Sequence, residues 1–94
     1  MSYWVYVLLS GKDKRTYVGY AQSAEARLGE HNAGKVTATK HRRPLTLVFK
    51  EAFSDEAAAK IREQSWKSGA GRRKLKNYFI RGFPPISDGR GSPK

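Results

Sequence analysis

Two tyrosines, an arginine, a histidine and a glutamate carry the side chains with which this chain could handle a phosphate. Tyr6 and Tyr17 lie on two short apolar runs, Tyr3–Leu9 and Thr16–Tyr20. A phenol titrates near 10, so it acts as a base at neutral pH only beside a cation or a metal. Arg27 presents a planar fork that can bind a phosphate bidentately and stabilise charge that builds up during its hydrolysis. His31, four residues on, can hydrogen-bond a phosphate or an attacking water. The Glu63 carboxylate can hold one Mg²⁺, an ion that keeps most of its waters and takes one or two carboxylates. Each residue also has an ordinary reading. Facing tyrosines pack in sheets, Arg27 can lie over Leu28, a lone histidine is usually structural, and Glu63 can pair with Lys67 at i+4. Taken one at a time, the tyrosines, His31 and Glu63 favour the ordinary reading.

The elements that would position these residues are legible. Tyr3–Leu9 is apolar on both faces, with Trp4, Tyr6 and Leu8 pointing opposite to Tyr3, Val5, Val7 and Leu9. That pattern suits a central strand covered on both sides. Ser10–Lys14 is a turn, and Thr16–Tyr20 returns as the second strand of a hairpin. Tyr17 and Gly19 then share a face. Glycine weakens a strand interior, so Gly19 marks a bulge or the close approach of a ligand.

Ser23 is a good N-cap for a helix running to about Asn32, with Gly34 as its stop. Ala24, Leu28 and His31 share one face of it, flanked by Arg27. Lys35–Arg43 is a basic loop ended by Pro44. Leu45–Phe49 reads as a third strand, with an extension to Phe53 left open. Ser54 is read as the cap of a second helix reaching about Lys67, with Ala58, Ala59, Ile61 and Trp66 as its apolar arc. Glu63 falls at the rim of that arc, and Arg62 falls inside it. Arg72–Arg81 is read as a short third helix that packs Leu75, Tyr78, Phe79 and Ile80 and shows its basic side. The order β-β-α-β-α-α predicts an α+β domain, a small three-stranded antiparallel sheet flanked by helices. Residues 1–83 form that domain, and the Gly/Pro-rich 84–94 is expected to be a mobile tail.

Composition narrows the function. The 94 residues suffice for one modest core. The absence of cysteine excludes disulfides and thiolate–zinc sites. His31 and His41 are too few for a His-rich metal site, and no phosphate loop, HExxH or GxSxG motif is present. No apolar run approaches a membrane span, and Met1–Trp4 lacks the features of a signal peptide. A cytoplasmic protein with no membrane attachment is expected. The informative number is charge: 19 Lys and Arg against 8 Asp and Glu, a net +11. Such an excess attracts polyanions, nucleic acid above all. The candidate phosphate contacts are Lys35, Lys40, Arg42 and Arg43 in the basic loop, then Lys67, Arg72, Arg73 and Lys74.

Taken together, these residues resemble the GIY-YIG nuclease family, in particular a small single-domain bacterial subgroup. Trp4-Val5-Tyr6 stands where the family has Gly-Ile-Tyr, and Tyr17-Val18-Gly19 where it has Tyr-Ile-Gly, with the usual separation of residues 7–16. Arg27 through Asn32 resembles the family's helix signature, and Arg62-Glu63 with Lys67 its metal-binding segment. Lys67–Lys76 resembles the end of the subgroup, and Asn77 a late asparagine seen in some members. Trp4 replaces the family's glycine, and Tyr20-Ala21 a common Ser or Thr pair. The resemblance implies a divalent-metal-dependent DNA endonuclease that is structure-selective or weakly specific. Glu63 would hold a single Mg²⁺ (or Mn²⁺), Arg27 the scissile phosphate, and His31 or a tyrosine would help the attacking water, Tyr17 being favoured over Tyr6. The basic segments would grip DNA through its backbone, near the nucleoid, with a protein partner supplying specificity if needed. A non-catalytic nucleic-acid-binding module, nucleoid- or repair-associated, is the alternative, and a small basic structural protein is a third reading.

Overall fold

The structure, a computed structural model, describes residues 2–82. The expected tail over 84–94, with the boundary before it, lies outside the described residues. Six elements follow one another: β1 (Tyr3–Ser10), β2 (Thr16–Ala21), α1 (Ala24–Asn32), β3 (Leu45–Phe53), α2 (Glu56–Lys67) and α3 (Gly69–Arg81). The sheet has the order β2-β1-β3 and is antiparallel throughout. The expected α+β architecture is therefore the one observed, with β1 at the centre as its two apolar faces require.

The two faces bury different helices. Val5 and Val7 of β1 and Val18 of β2 pack with Phe49, Ala59, Trp66 and Leu75, which brings α2 and α3 onto one face. Tyr6 and Leu8 pack with Ala24 and Leu45, which brings α1 onto the other. The β1–β2 register is regular from Trp4↔Ala21 to Leu9↔Thr16. The irregularity lies on β3, where Val7 faces Phe49 but Leu8 faces Leu47. This one-residue bulge swaps the side-chain alternation. Phe49 thereby faces α2 and α3, while Leu45 and Leu47 face α1.

Local chemistry sets the helix ends. Ser23 caps α1, its side chain accepting from the Ala26 amide at 3.1 Å. The cap of α2 is Asp55 rather than Ser54, and it accepts from the Ala58 amide at 2.8 Å. A carboxylate there also meets the positive end of the helix dipole. The third helix starts at Gly69, three residues before the expected Arg72. Ser68 both ends α2 and caps α3, accepting from the Gly71 amide at 3.1 Å and donating to the Ser65 carbonyl at 2.6 Å.

The buried stripe of α2 is also rotated from the expected arc. Ala59, Glu63 and Trp66 are buried, whereas Ile61 is 71% exposed. The cause is Glu51 on β3. This buried carboxylate accepts from Arg62 at 2.9 and 3.1 Å and from the Trp66 indole at 3.0 Å. The Arg62 guanidinium lies over the Trp66 ring, 4.5 Å from its centre. An arginine inside the stripe is thus a partner for a buried charge, not a break in the pattern. On α3, Leu75 is buried and Tyr78 packs against Phe49 and Trp66, but Phe79 and Ile80 are exposed. At 100° per residue, consecutive positions cannot all face the core.

The α2–α3 corner depends on Gly71. A Cβ there would collide with the Ser65 carbonyl oxygen and stand 2.6 Å from the Trp66 Cα. Gly29, within α1, has open space around it. Gly71→Ala is expected to lower unfolding free energy by about 1–3 kcal/mol through overpacking. Gly29→Ala is expected to raise it by about 0.5–1 kcal/mol through helix propensity. Chemical denaturation of both variants checks this, and equal shifts would contradict the packing described.

Candidate active site

The pairing of β1 and β2 sets Tyr6 opposite Gly19 and Leu8 opposite Tyr17. Tyr6, Tyr17 and Gly19 consequently face α1. Gly19 is neither a bulge nor a gap left for a ligand. A Cβ on it would stand 2.5 Å from the Tyr6 hydroxyl and 2.7 Å from Cζ, so the Tyr6 ring occupies the space the glycine leaves. Lying across Gly19, the phenol reaches His31 Nε2 at 3.1 Å. Both residues are buried, at 1% and 0% exposure.

His31 is held from its other side. Its Nδ1 lies 2.7 Å from the hydroxyl of Thr39, a buried residue of the basic loop. The Thr39 hydroxyl also reaches the Val36 carbonyl at 3.5 Å. One arrangement of protons satisfies the whole set. Thr39 donates to Val36, His31 Nδ1–H donates to Thr39, and Nε2 accepts the phenol proton of Tyr6. The reverse tautomer would give Tyr6 a donor on Nε2 while Arg27, on its other side, can only donate. Burial pushes the Tyr6 phenol up to about 12, with the Arg27 guanidinium opposing the rise and the Tyr17 and Glu63 charges adding to it. Burial, then the positive charge of Arg27, lowers the His31 pKa. At neutral pH the pair is a protonated phenol on a neutral imidazole.

The other candidates gather around this pair. The Tyr17 ring meets His31 edge-on with centres 5.0 Å apart. Arg27 stands beside Tyr6 and forms an ion pair with Glu30 one turn along α1. Glu63 comes from α2, on the opposite face of the sheet. It meets the site through its charge on the Tyr6 phenol and through Lys67, which bonds Glu63 at 3.0 Å and sits 5.9 Å from the Tyr17 ring centre. The five residues named from the sequence are therefore neighbours in space.

The basic residues divide into two groups. Arg42 pairs with Asp13 at 2.8 Å and donates to the Thr16 carbonyl at 3.3 Å. Arg43 donates to the carbonyls of Lys40 and Asn32, at 2.8 and 3.4 Å, and packs under Gly34. Both tie the loop to the hairpin and to α1. Lys35, Lys40, Arg72, Arg73 and Lys74 are exposed. Sequence reasoning passed over Thr39, which carried no signal beyond its place in the basic loop. It also passed over Glu51, an acidic residue in an apolar strand.

The donor set bears on a metal. Among the described residues, no three acidic or histidine side chains group together, so no all-protein cage exists. Glu63 offers hard carboxylate oxygens, one bonded by Lys67 and the other by Gln64 at 3.1 Å. Lys67 is exposed and flexible enough to swing away. A single carboxylate fits a Mg²⁺ that keeps its waters and shares a substrate phosphate.

The comparisons with known proteins agree with this fold. The family model of the GIY-YIG catalytic domain matches residues 2–78, and the chain belongs to that family. It is similar to the UPF0213 protein of Staphylococcus haemolyticus, 43% identical over 79% of this chain and 90% of that one. The UPF0213 protein of Natronomonas pharaonis is 42% identical over 70% of this chain and 78% of that one. A solution NMR structure of the UPF0213 protein from Bacillus halodurans superposes with a TM-score of 0.53, 30% identity and 89% of each chain covered.

Two outcomes follow from the buried pair. A histidine whose pKa is lowered by folding binds a proton more readily in the unfolded chain. Its contribution to stability is thus full above about 6.5, the unfolded value, and is lost as pH falls below it. An NMR titration should show His31 protonating below 6.5, and a midpoint at or above that value would contradict the tautomer described. Gly19→Ala should displace the Tyr6 ring, cost about 1–3 kcal/mol and shift the His31 Nε2 resonance. An unmoved resonance would show that the ring does not need the glycine.

Proposed function

We propose that this protein is a divalent-metal-dependent endonuclease that hydrolyses phosphodiester bonds in DNA. What carries this reading is the meeting of two tyrosines, Arg27 and His31 around one buried hydrogen bond, with the Glu63 carboxylate arriving from another helix. A binding module would need the cations but not Glu63, because a lone carboxylate repels phosphate unless a metal lies between them.

In the reaction, water attacks the scissile phosphorus and the bond to the bridging oxygen breaks. Arg27 binds the non-bridging oxygens and offsets their growing charge. Glu63 would hold one Mg²⁺ or Mn²⁺, which supplies positive charge to the phosphate and the leaving oxygen when bound. Tyr17, acting as the phenolate, receives the proton of the attacking water, and the leaving oxygen takes a proton from solvent. Tyr17 is half-buried, lines a cleft and has the Lys67 ammonium near its ring. Tyr6 is less suited to that task, since burial holds its proton. It serves with His31 to fix the floor against which Tyr17 and Arg27 are set. Backbone contacts from the exposed cations of α3, Arg72, Arg73 and Lys74, give structure-selective or weakly specific cutting, in the cytoplasm on nucleoid DNA, with specificity open to a protein partner.

The test is cleavage of nicked, branched, single-stranded and duplex DNA with Mg²⁺ or Mn²⁺ against EDTA. Wild type should cut only with metal. Arg27→Ala and Glu63→Ala should each lose at least about 10²-fold in rate, the second without loss of DNA binding. Cutting that survives Glu63→Ala would reject the site. Binding with no cutting on any substrate would favour the non-catalytic module.

A further inference from the structure

The strongest unassigned surface is a cleft between the β1–β2 turn and α3. It has a volume of about 460 Å³, and its lining includes Lys14, Arg15, Arg72 and Lys76 over Thr16 and Leu75, with no carboxylate. A smaller cleft of about 210 Å³ shares Thr16, Arg72 and Leu75 with it and adds Tyr17 and Lys67. The two run together, so a cationic path starts at the candidate base and continues between the hairpin turn and α3. The one acidic side chain of the turn, Asp13, is taken up by Arg42.

The backbone adds a second observation. Lys14 has φ of 61°, in the left-handed region. A lysine there is strained, and glycine adopts that conformation without steric cost. The turn holds it there, with the Lys14 amide donating to the Ser10 carbonyl and the Ser10 amide to the Arg15 carbonyl, both at 3.0 Å, which brings the Lys14 and Arg15 side chains to the cleft. In the basic loop the balance is reversed, because Arg42 and Arg43 are spent on internal hydrogen bonds.

We propose that this cleft is the track along which a nucleic-acid strand runs to and from the tyrosine site, its phosphates held by Lys14, Arg15, Arg72 and Lys76. The inference rests on the nucleic-acid reading above and assigns the strand to the α3 side of the molecule rather than to the loop side.

The experiment measures binding of a fluorescein-labelled DNA oligonucleotide in EDTA, where cleavage is off, across a salt series. Removing one phosphate-binding cation should reduce the slope of log K against log salt by about 1. The double variant Lys14→Gly, Lys76→Ala should therefore flatten the slope by about 2. Lys35→Ala with Lys40→Ala should leave it nearly unchanged. Lys14→Gly alone should melt at or above the wild-type temperature, which separates a weaker grip on phosphate from a damaged fold. An unchanged slope in the cleft variant, or an equal flattening in the loop variant, would overturn the proposal. Wild type that binds through the cleft and cuts nothing would reject the nuclease reading alone. Wild type that cuts DNA while the cleft variant binds normally would reject the track alone.

Discussion

The buried hydrogen bond between Tyr6 and His31 constrains more of this molecule than any other single contact. A phenol and an imidazole removed from water must satisfy each other, because an unpaired buried polar group costs about 1–3 kcal/mol. That requirement reaches outward. The ring of Tyr6 can lie flat along the sheet only because Gly19 opposite has no side chain. His31 can present Nε2 only because Thr39 engages Nδ1. Thr39 is in place because its loop is tied down by Arg42 on the hairpin and by Arg43 on α1. Asn32 adds two hydrogen bonds to the backbone of Leu45, at 2.8 and 2.9 Å, closing the loop onto β3. Hairpin, first helix and basic loop are thus one mechanical unit centred on a proton.

Glu63 reaches the same place by a different route. It belongs to the face that α2 and α3 cover, whereas the tyrosines, Arg27 and His31 belong to the face that α1 covers. The two meet where Lys67 bonds Glu63 and lies beside the Tyr17 ring. The rotation of α2 decides whether they do. The Glu51 carboxylate, gripping Arg62 and the Trp66 indole, sets that rotation, and Gly71 lets α3 close against it. A one-residue slip of β2 on β1 would turn Tyr17 and Gly19 to the other face and remove the site.

The charge of the chain is unevenly committed. Of its many cations, Arg42, Arg43 and Arg62 are engaged in internal contacts. Arg27 is shared between Glu30 and the Tyr6 phenol. Part of the exposed remainder, Lys14, Arg15, Arg72 and Lys76, lines one cleft between the hairpin turn and α3 whose lining holds no carboxylate. Net charge describes attraction to a polyanion, but where a strand would lie depends on which cations the fold has left available.

Much of this was legible in the order of residues. Apolar runs and turn residues located each element, because side-chain pattern is a local property, while the cap of α2 and the start of α3 were misplaced. The five candidate residues could be named because their types and spacing suit one chemistry and resemble one family, to which the chain does belong. What stayed hidden was always a matter of partners distant in sequence. Ile61 looks like core by composition, and only the Glu51–Arg62 pair turns it outward. Gly19 looks like room for a ligand, and only the cross-strand register shows Tyr6 filling it. Thr39 and His31 are eight residues apart and lie on different elements, so no periodicity links them. The order of residues is enough for the elements, their succession and the chemical types at the candidate site. Folding settles which tyrosine is buried with its proton, which tautomer the histidine holds and which arginines are tied up in internal hydrogen bonds. Those outcomes depend on burial and on a partner's position, and neither exists until the chain has folded.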